Sequence, residues 1–161
     1  MFNEGNTIGL APFVARIVTA WAKAQPTMRA VALVGSHARG TAGPASDVDF
    51  MLLATDPDTF RADLTWVDQI DWHRIDAHPQ KWQDEDYGLA WSRRVWLARA
   101  SMPVELTFAP LCWANVDPPD GGTRRVISGG CQILYDPDGL LVRLCEAIGP
   151  EFEHADRRDL C

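Results

Sequence analysis

The sequence predicts a single α+β domain, with helices packed mainly on one face of a mixed β-sheet. Three observations predict it. Two valine- and leucine-rich runs, "RAVALVG" (29–35) and "VDFMLLA" (48–54), are short, apolar and bounded by turn residues, the pattern of buried strands. "APFVARIVTAWAKA" (11–24) places Phe13, Val14, Ile17, Val18 and Trp21 at helical spacing. A length of 161 residues suits one domain with a core of its own.

The remaining elements follow in chain order. Pro26 stops the first helix. In Asp56-Pro57-Asp58, Asp56 is a plausible N-cap with Pro57 in the first turn, and the helix is expected to run to about Ile70. "HRIDAH" (73–78) reads as a third strand, whereas "PQKWQDEDYG" (79–88) is too polar to assign. "WSRRVWLA" (91–98) and "VELTFAP" (104–110) read as a hairpin joined through Arg99 to Pro103, although the first run also fits a helical period. Gly129-Gly130 between two β-branched runs predicts a second hairpin. "DPDGLLVRLCEAI" (136–148) reads as a closing helix capped by Asp136. The domain is expected over 1–150, followed by a polar C-terminal tail over 151–161.

Composition narrows the function. Hydrophobic residues make up 47% and charged residues 23%, the balance of a globular chain. No apolar run approaches the roughly 18 residues that span a bilayer, so no membrane association is expected. "MFNEGNTIGL" lacks the basic start of a signal peptide, and the expected location is the cytoplasm. Cys112, Cys131, Cys145 and Cys161 form no C-x-x-C pair, which argues against zinc and against a disulfide framework. The net charge of −7 and the lack of a Lys/Arg run disfavour a long nucleic-acid partner. An acidic surface would instead attract metal ions or a cationic acceptor.

The chemistry concentrates in "LVGSHARGTAGPASDVDFMLL" (33–53). On a strand, residues i and i+2 share a face, so Asp47 and Asp49 aim the same way, about 6–7 Å apart. Two like charges at that spacing repel, and a divalent cation between them removes the repulsion. Oxygen-only ligands suit Mg²⁺ or Mn²⁺, which also bind phosphates. Gly35 ends a strand where a phosphate can approach backbone without meeting a Cβ. A helical turn after it, with the Ser36 hydroxyl, would favour an anion.

"GSHARGTAGPASDVDF" resembles the signature of the DNA polymerase β-type nucleotidyltransferase superfamily, Gly-Ser followed by Asp-x-Asp. Ala38-Arg39-Gly40 and Ser46-Asp47 make it similar to small bacterial members, the minimal nucleotidyltransferases and antibiotic adenylyltransferases. "PVELTFA" and "ISGGCQILYDPDG" resemble the later part of such proteins.

The resemblance implies a nucleotidyltransferase fold and a third carboxylate on a later strand. Glu105 in "VELTF" and Asp76 in "RIDAH" both have apolar neighbours and compete for the role, with Glu105 preferred. It further implies two-metal transfer of a nucleoside monophosphate, AMP from ATP being the expected form, to a hydroxyl of a small-molecule or protein acceptor. Asp47, Asp49 and Glu105 would be the catalytic metal ligands, with Glu105 able to act as base. Gly35, Ser36, Arg39 and Ser46 would bind the nucleotide, unless Arg39 pairs with a scaffold carboxylate. No second helical domain of the kind that larger antibiotic-modifying relatives use to hold an acceptor is expected, which counts against an antibiotic acceptor unless a homodimer partner completes the pocket; an antitoxin-type protein adenylyltransferase is the neighbouring reading. A nucleotide- or partner-binding module without catalysis is the alternative from another class.

Other residues admit plainer readings. His37 reads as a variable loop residue beside Ser36. His73 and His78 have no metal-ligand spacing. Asp84-Glu85-Asp86 could meet a cationic acceptor, but a solvated loop is the preferred reading. Most of the seven tryptophans read as core, with Trp82 or Trp91 as candidates to line an acceptor pocket. Arg93 or Arg94 could reach the triphosphate or balance the acidic site.

Overall fold

The computed structural model describes residues 9–155, with side chains through residue 149. The first eight residues, where no leader was expected, lie outside this range, and so do the side chains of the expected tail.

A mixed six-stranded sheet forms the centre, in the order β3-β4-β5-β2-β1-β6. The strands are β1 (Met28–Val34), β2 (Val48–Ala54), β3 (His78–Asp86), β4 (Trp91–Ala98), β5 (Val104–Ala109) and β6 (Cys131–Tyr135). Pairing is antiparallel except between β2 and β5, which run parallel. The helices are α1 (Ala11–Lys23), α2 (Ser36–Arg39), α3 (Pro57–Ala62), α4 (Gly121–Ser128) and α5 (Leu140–Ala155). The α+β class and single-domain build match expectation.

Strand alternation sorts side chains onto two faces. Val48, Phe50, Leu52, Val104, Leu106 and Phe108 join the larger core, under α1 and α3. Met51, Leu53 and Ala109 point to the opposite face, into a smaller cluster with Ile127 of α4 and Leu141, Leu144 and Ile148 of α5. The larger helical layer thus lies on one face, and the second layer leaves the β4–β5 side of its own face open.

Several local expectations are corrected. The helix from Pro57 ends at Ala62 instead of Ile70, and a short 3-10 turn, Trp66–Gln69, follows. Asp56 holds the N-cap position, but its side chain makes no capping hydrogen bond. Residues 73–77 are not a strand, and of the expected run only His78 belongs to one, as the first residue of β3. Trp72–Ile75 form a 3-10 turn that buries Trp72 and Ile75 three positions apart, and Asp76 ends it in the left-handed region at φ 53°. The unassigned polar stretch is β3, an edge strand exposed along nearly its whole length. Polarity on both faces erased the alternation that marks a half-buried strand. "WSRRVWLA" is a strand, paired with β5 as the hairpin reading required.

Gly129-Gly130 does not turn a hairpin. The arm before it is α4, capped by the Asp120 carboxylate, which accepts from the backbone N–H groups of Gly122 and Thr123. Gly130 sits at φ 120°, and a Cβ there would lie 3.0 Å from the Gly35 carbonyl oxygen and from the Arg39 backbone. The glycine pair lets the α4–β6 corner press against the loop that follows β1. Asp136 caps as expected, accepting from the backbone N–H groups of Leu141 and Val142, but the helix begins four residues later, at Leu140.

Candidate active site

One rung of the sheet assembles the site. Val34 pairs with Asp49, Asp49 with Glu105, and Glu105 with Arg94, across β1, β2, β5 and β4. Asp49 and Glu105 point to the open face because their strand neighbours Val48, Phe50, Val104 and Leu106 are fully buried on the other. Asp47 stands just before β2. Carboxylate oxygens of Asp47, Asp49 and Glu105 lie within 4.8 Å of one another, the one such group with metal-binding geometry among the described residues.

Crowding three acids has an electrostatic cost. Burial, then the charges of Glu105 and Asp47, push the Asp49 carboxyl up from 3.8 to about 7. Arg94 offsets part of this repulsion. Its Nη2 donates to Asp47 Oδ2 at 2.5 Å and lies 3.6 Å from Glu105 Oε2. An all-oxygen donor set, with one carboxyl driven toward its neutral form by the other two, fits a hard divalent cation.

Gly35 is shaped by the same carboxylates. It sits at φ 76° and ψ −153°, a conformation reserved for glycine, and a Cβ there would lie 2.5 Å from Asp49 Oδ2. The chain then enters α2 at Ser36. Among the described residues, no side-chain hydrogen bond engages the Ser36 hydroxyl. Among the described residues Arg39 pairs with no carboxylate. It donates from Nη1 to the Gly129 carbonyl and from Nε to Thr41 Oγ1 at 3.1 Å, tying α2 to the end of α4. Ser46 braces the loop, its Oγ accepting from the Gly43 backbone N–H at 2.8 Å. His37 Nε2 lies 3.3 Å from the Ser46 carbonyl oxygen.

A cavity of about 580 Å³ opens beside the acids, within the range of small-molecule sites. Gly35, Arg39, Asp49, Glu105, Trp113 and Arg125 are among the residues that line it. The structure thus gathers Gly35, Arg39, Asp49 and Glu105 on one cavity; Ser36, Ser46 and Asp47 do not line it, although Asp47 keeps a carboxylate oxygen within 4.8 Å of those of Asp49 and Glu105. Asp76 is not part of it. It is exposed and ion-paired with Arg99 at 3.0 Å.

Two contributors were not legible in the motif. Tyr87, in the β3–β4 turn, donates from its hydroxyl toward Glu85 at 3.0 Å and Glu105 at 3.3 Å. Trp113 enters from the 3-10 turn after β5. Nothing in the local pattern of either residue signals a site. The acidic stretch 84–86 is largely engaged within the fold. Asp84 holds the fully buried Arg93, and Asp86 accepts from the Gly88 backbone N–H. Trp91 is core, stacked on Phe108 at 4.7 Å, and Trp82 lies on the β3 edge.

An acid cluster at the mouth of a Gly-Ser turn, on a mixed sheet, is an arrangement with room for a divalent cation beside a phosphate. The family described as nucleotidyltransferase domain matches residues 14–89. That match is consistent with the polymerase β-type nucleotidyltransferase family that the motif resembles. No curated protein matches the chain. No helix among the described residues is long and apolar enough to cross a membrane.

Proposed function

We propose that this nucleotidyltransferase moves a nucleoside monophosphate, AMP from ATP, to a hydroxyl of a small-molecule or protein acceptor, with release of pyrophosphate. The observation that carries this reading is the Asp49–Glu105 rung with Asp47 beside it, three carboxylates converging where a glycine-only turn leaves backbone open to phosphate. In the reaction the acceptor oxygen bonds to the α-phosphorus, the bond from that phosphorus to the bridging oxygen breaks, and pyrophosphate departs.

Asp47, Asp49 and Glu105 would hold Mg²⁺ or Mn²⁺. Bound divalent ions supply positive charge at the attacking and leaving oxygens. Glu105 lies nearest the open side of the face and would take the acceptor hydroxyl's proton. The Ser36 hydroxyl and the N–H groups after Gly35 would donate to phosphate oxygens. Arg39, held against Gly129, would add charge at the cavity wall. Ser46 keeps its own hydroxyl hydrogen free for a phosphate while accepting from Gly43. Arg94 would release Asp47 when a cation takes its place.

The test is incubation with each of the four α-labelled ribonucleoside triphosphates, Mg²⁺, and acceptor panels of amino sugars and cell proteins. Label should pass to an acceptor, most efficiently from ATP, and the transfer should stop with EDTA. Nucleotide binding without transfer to any acceptor would leave a binding module and overturn the enzyme reading.

A further inference from the structure

The two edges of the sheet are built differently. β3 carries Pro79, Lys81, Asp84, Glu85 and Asp86, the charges and proline that discourage a further strand from pairing. β6, "CQILY", has no charge and no proline, and among the described residues nothing pairs with its outer edge. A short apolar strand with an open edge is a template for strand addition.

Beside that edge, on the face opposite the acids, α1 and β6 flank a groove of about 650 Å³. Ala15, Leu33 and Leu134 form an apolar floor, and Arg16 and Lys23 form a basic rim. Among the described residues no acidic side chain lines the groove, although the chain as a whole carries a net charge of −7. Among the described residues neither rim cation has an ion-pair partner. Arg16 rests over the Phe13 ring and Lys23 over the Tyr135 ring, each at 5.7 Å. Thr19, between them on the same helix face, has a buried Oγ1 with no hydrogen-bond partner. An orphaned hydroxyl and two uncompensated cations beside an open strand are the features a bound acidic segment would satisfy.

We propose that this groove receives an extended acidic segment of a partner protein, added as a strand to β6. Its backbone pairs with the free edge, its apolar side chains alternate onto Leu134 and Ala15, and its carboxylates meet Arg16 and Lys23. Charge decides against a second copy as the occupant. A β6-to-β6 pairing of two copies would bring four cations to one seam, with no acid among the described residues of either groove to balance them. The proposal does not depend on the catalytic reading, since none of these residues touches the acid site.

The test uses the full chain and two synthetic ten-residue peptides, one alternating valine with glutamate and one alternating valine with lysine. Hydrogen exchange reads the amides of residues 131–135, and fluorescence anisotropy reads affinity. The glutamate peptide should slow exchange in β6 at least tenfold, and the lysine peptide should not. The double variant Arg16→Glu, Lys23→Glu should weaken the glutamate peptide at least tenfold while leaving the melting temperature and nucleotide binding unchanged. Absence of protection at millimolar glutamate peptide, or equal protection by both peptides, overturns the proposal. So does a solution dimer of the chain alone in which the β6 amides are already protected.

Discussion

Glu105 and Asp76 look alike in sequence, each a single acid between apolar neighbours, and the fold treats them in opposite ways. Glu105 lies on a strand with both neighbours fully buried beneath it, and its side chain is 16% exposed. Asp76 caps a 3-10 turn in the left-handed region, and its side chain is 56% exposed. The difference comes from what Ile75 and Trp72 do. Packed three residues apart, they bury one side of a helical turn and leave the next residue to end it. An acid between apolar residues is therefore informative only once the period of its neighbours is known.

The comparison breaks most sharply under substitution of Glu105. Glu105→Gln removes the proposed base and a ligand, and transfer should fall roughly 10³-fold with the melting temperature held or raised. A variant with wild-type turnover would return the third-acid role to another residue. Gly35→Ala comes next. A methyl group directed at Asp49 Oδ2, on a backbone that only glycine adopts readily, should cost about 1–3 kcal/mol of stability. It should lower turnover about 100-fold by displacing the carboxylate. Thermal melts and steady-state kinetics measure the two losses separately.

A smaller effect is read in pH. The Asp49 carboxyl is raised from 3.8 to about 7 in the metal-free protein. Between those values the folded chain holds a proton that the unfolded chain has lost. The stabilisation from this group is complete below about pH 4 and disappears as pH rises through 7. Asp49→Asn should remove that decline while abolishing transfer. In EDTA at pH 8 its melting temperature should exceed the parent's by about 2–4 °C for each ~1 kcal/mol of repulsion relieved, and at pH 4 the two should converge. A difference independent of pH would count against the crowded-acid account.

The smallest effect belongs to Asp76→Asn. An exposed ion pair contributes about 0–1 kcal/mol, and asparagine tolerates the left-handed region. Turnover should stay within about twofold of the parent, and a large loss would erase the contrast with Glu105.

What could be read from the chain follows the same logic. The β1 and β2 runs are apolar because both of their faces are buried, the first helix and the β4–β5 hairpin each bury a clear face, and each was legible. The Gly-Ser turn and Asp47-x-Asp49 were legible because backbone and charge constraints coincide there. β3 was not, since it is an edge strand with polar residues on both faces. Helix α4 was hidden because Gly129-Gly130 is a hairpin signal by composition, while its use here is close packing against the Gly35 loop. Arg94's place among the acids depends on strand register, and Tyr87 and Trp113 depend on how loops cross the open face. None of these follows from local pattern.

The parallel pairing of β2 with β5 also governs how this domain can be divided. The family match ends at residue 89, inside the turn after β3. β3 joins the sheet only by way of β4 and β5. A fragment cut at the end of the match would keep the Gly-Ser turn and both aspartates, but it would lose the strand joining β3 to the rest and the acid facing Asp49. The recognisable segment is thus not the autonomous unit. A piece that keeps the three carboxylates together must extend through Ala109, and shuffling or truncation that respects the motif alone would separate them.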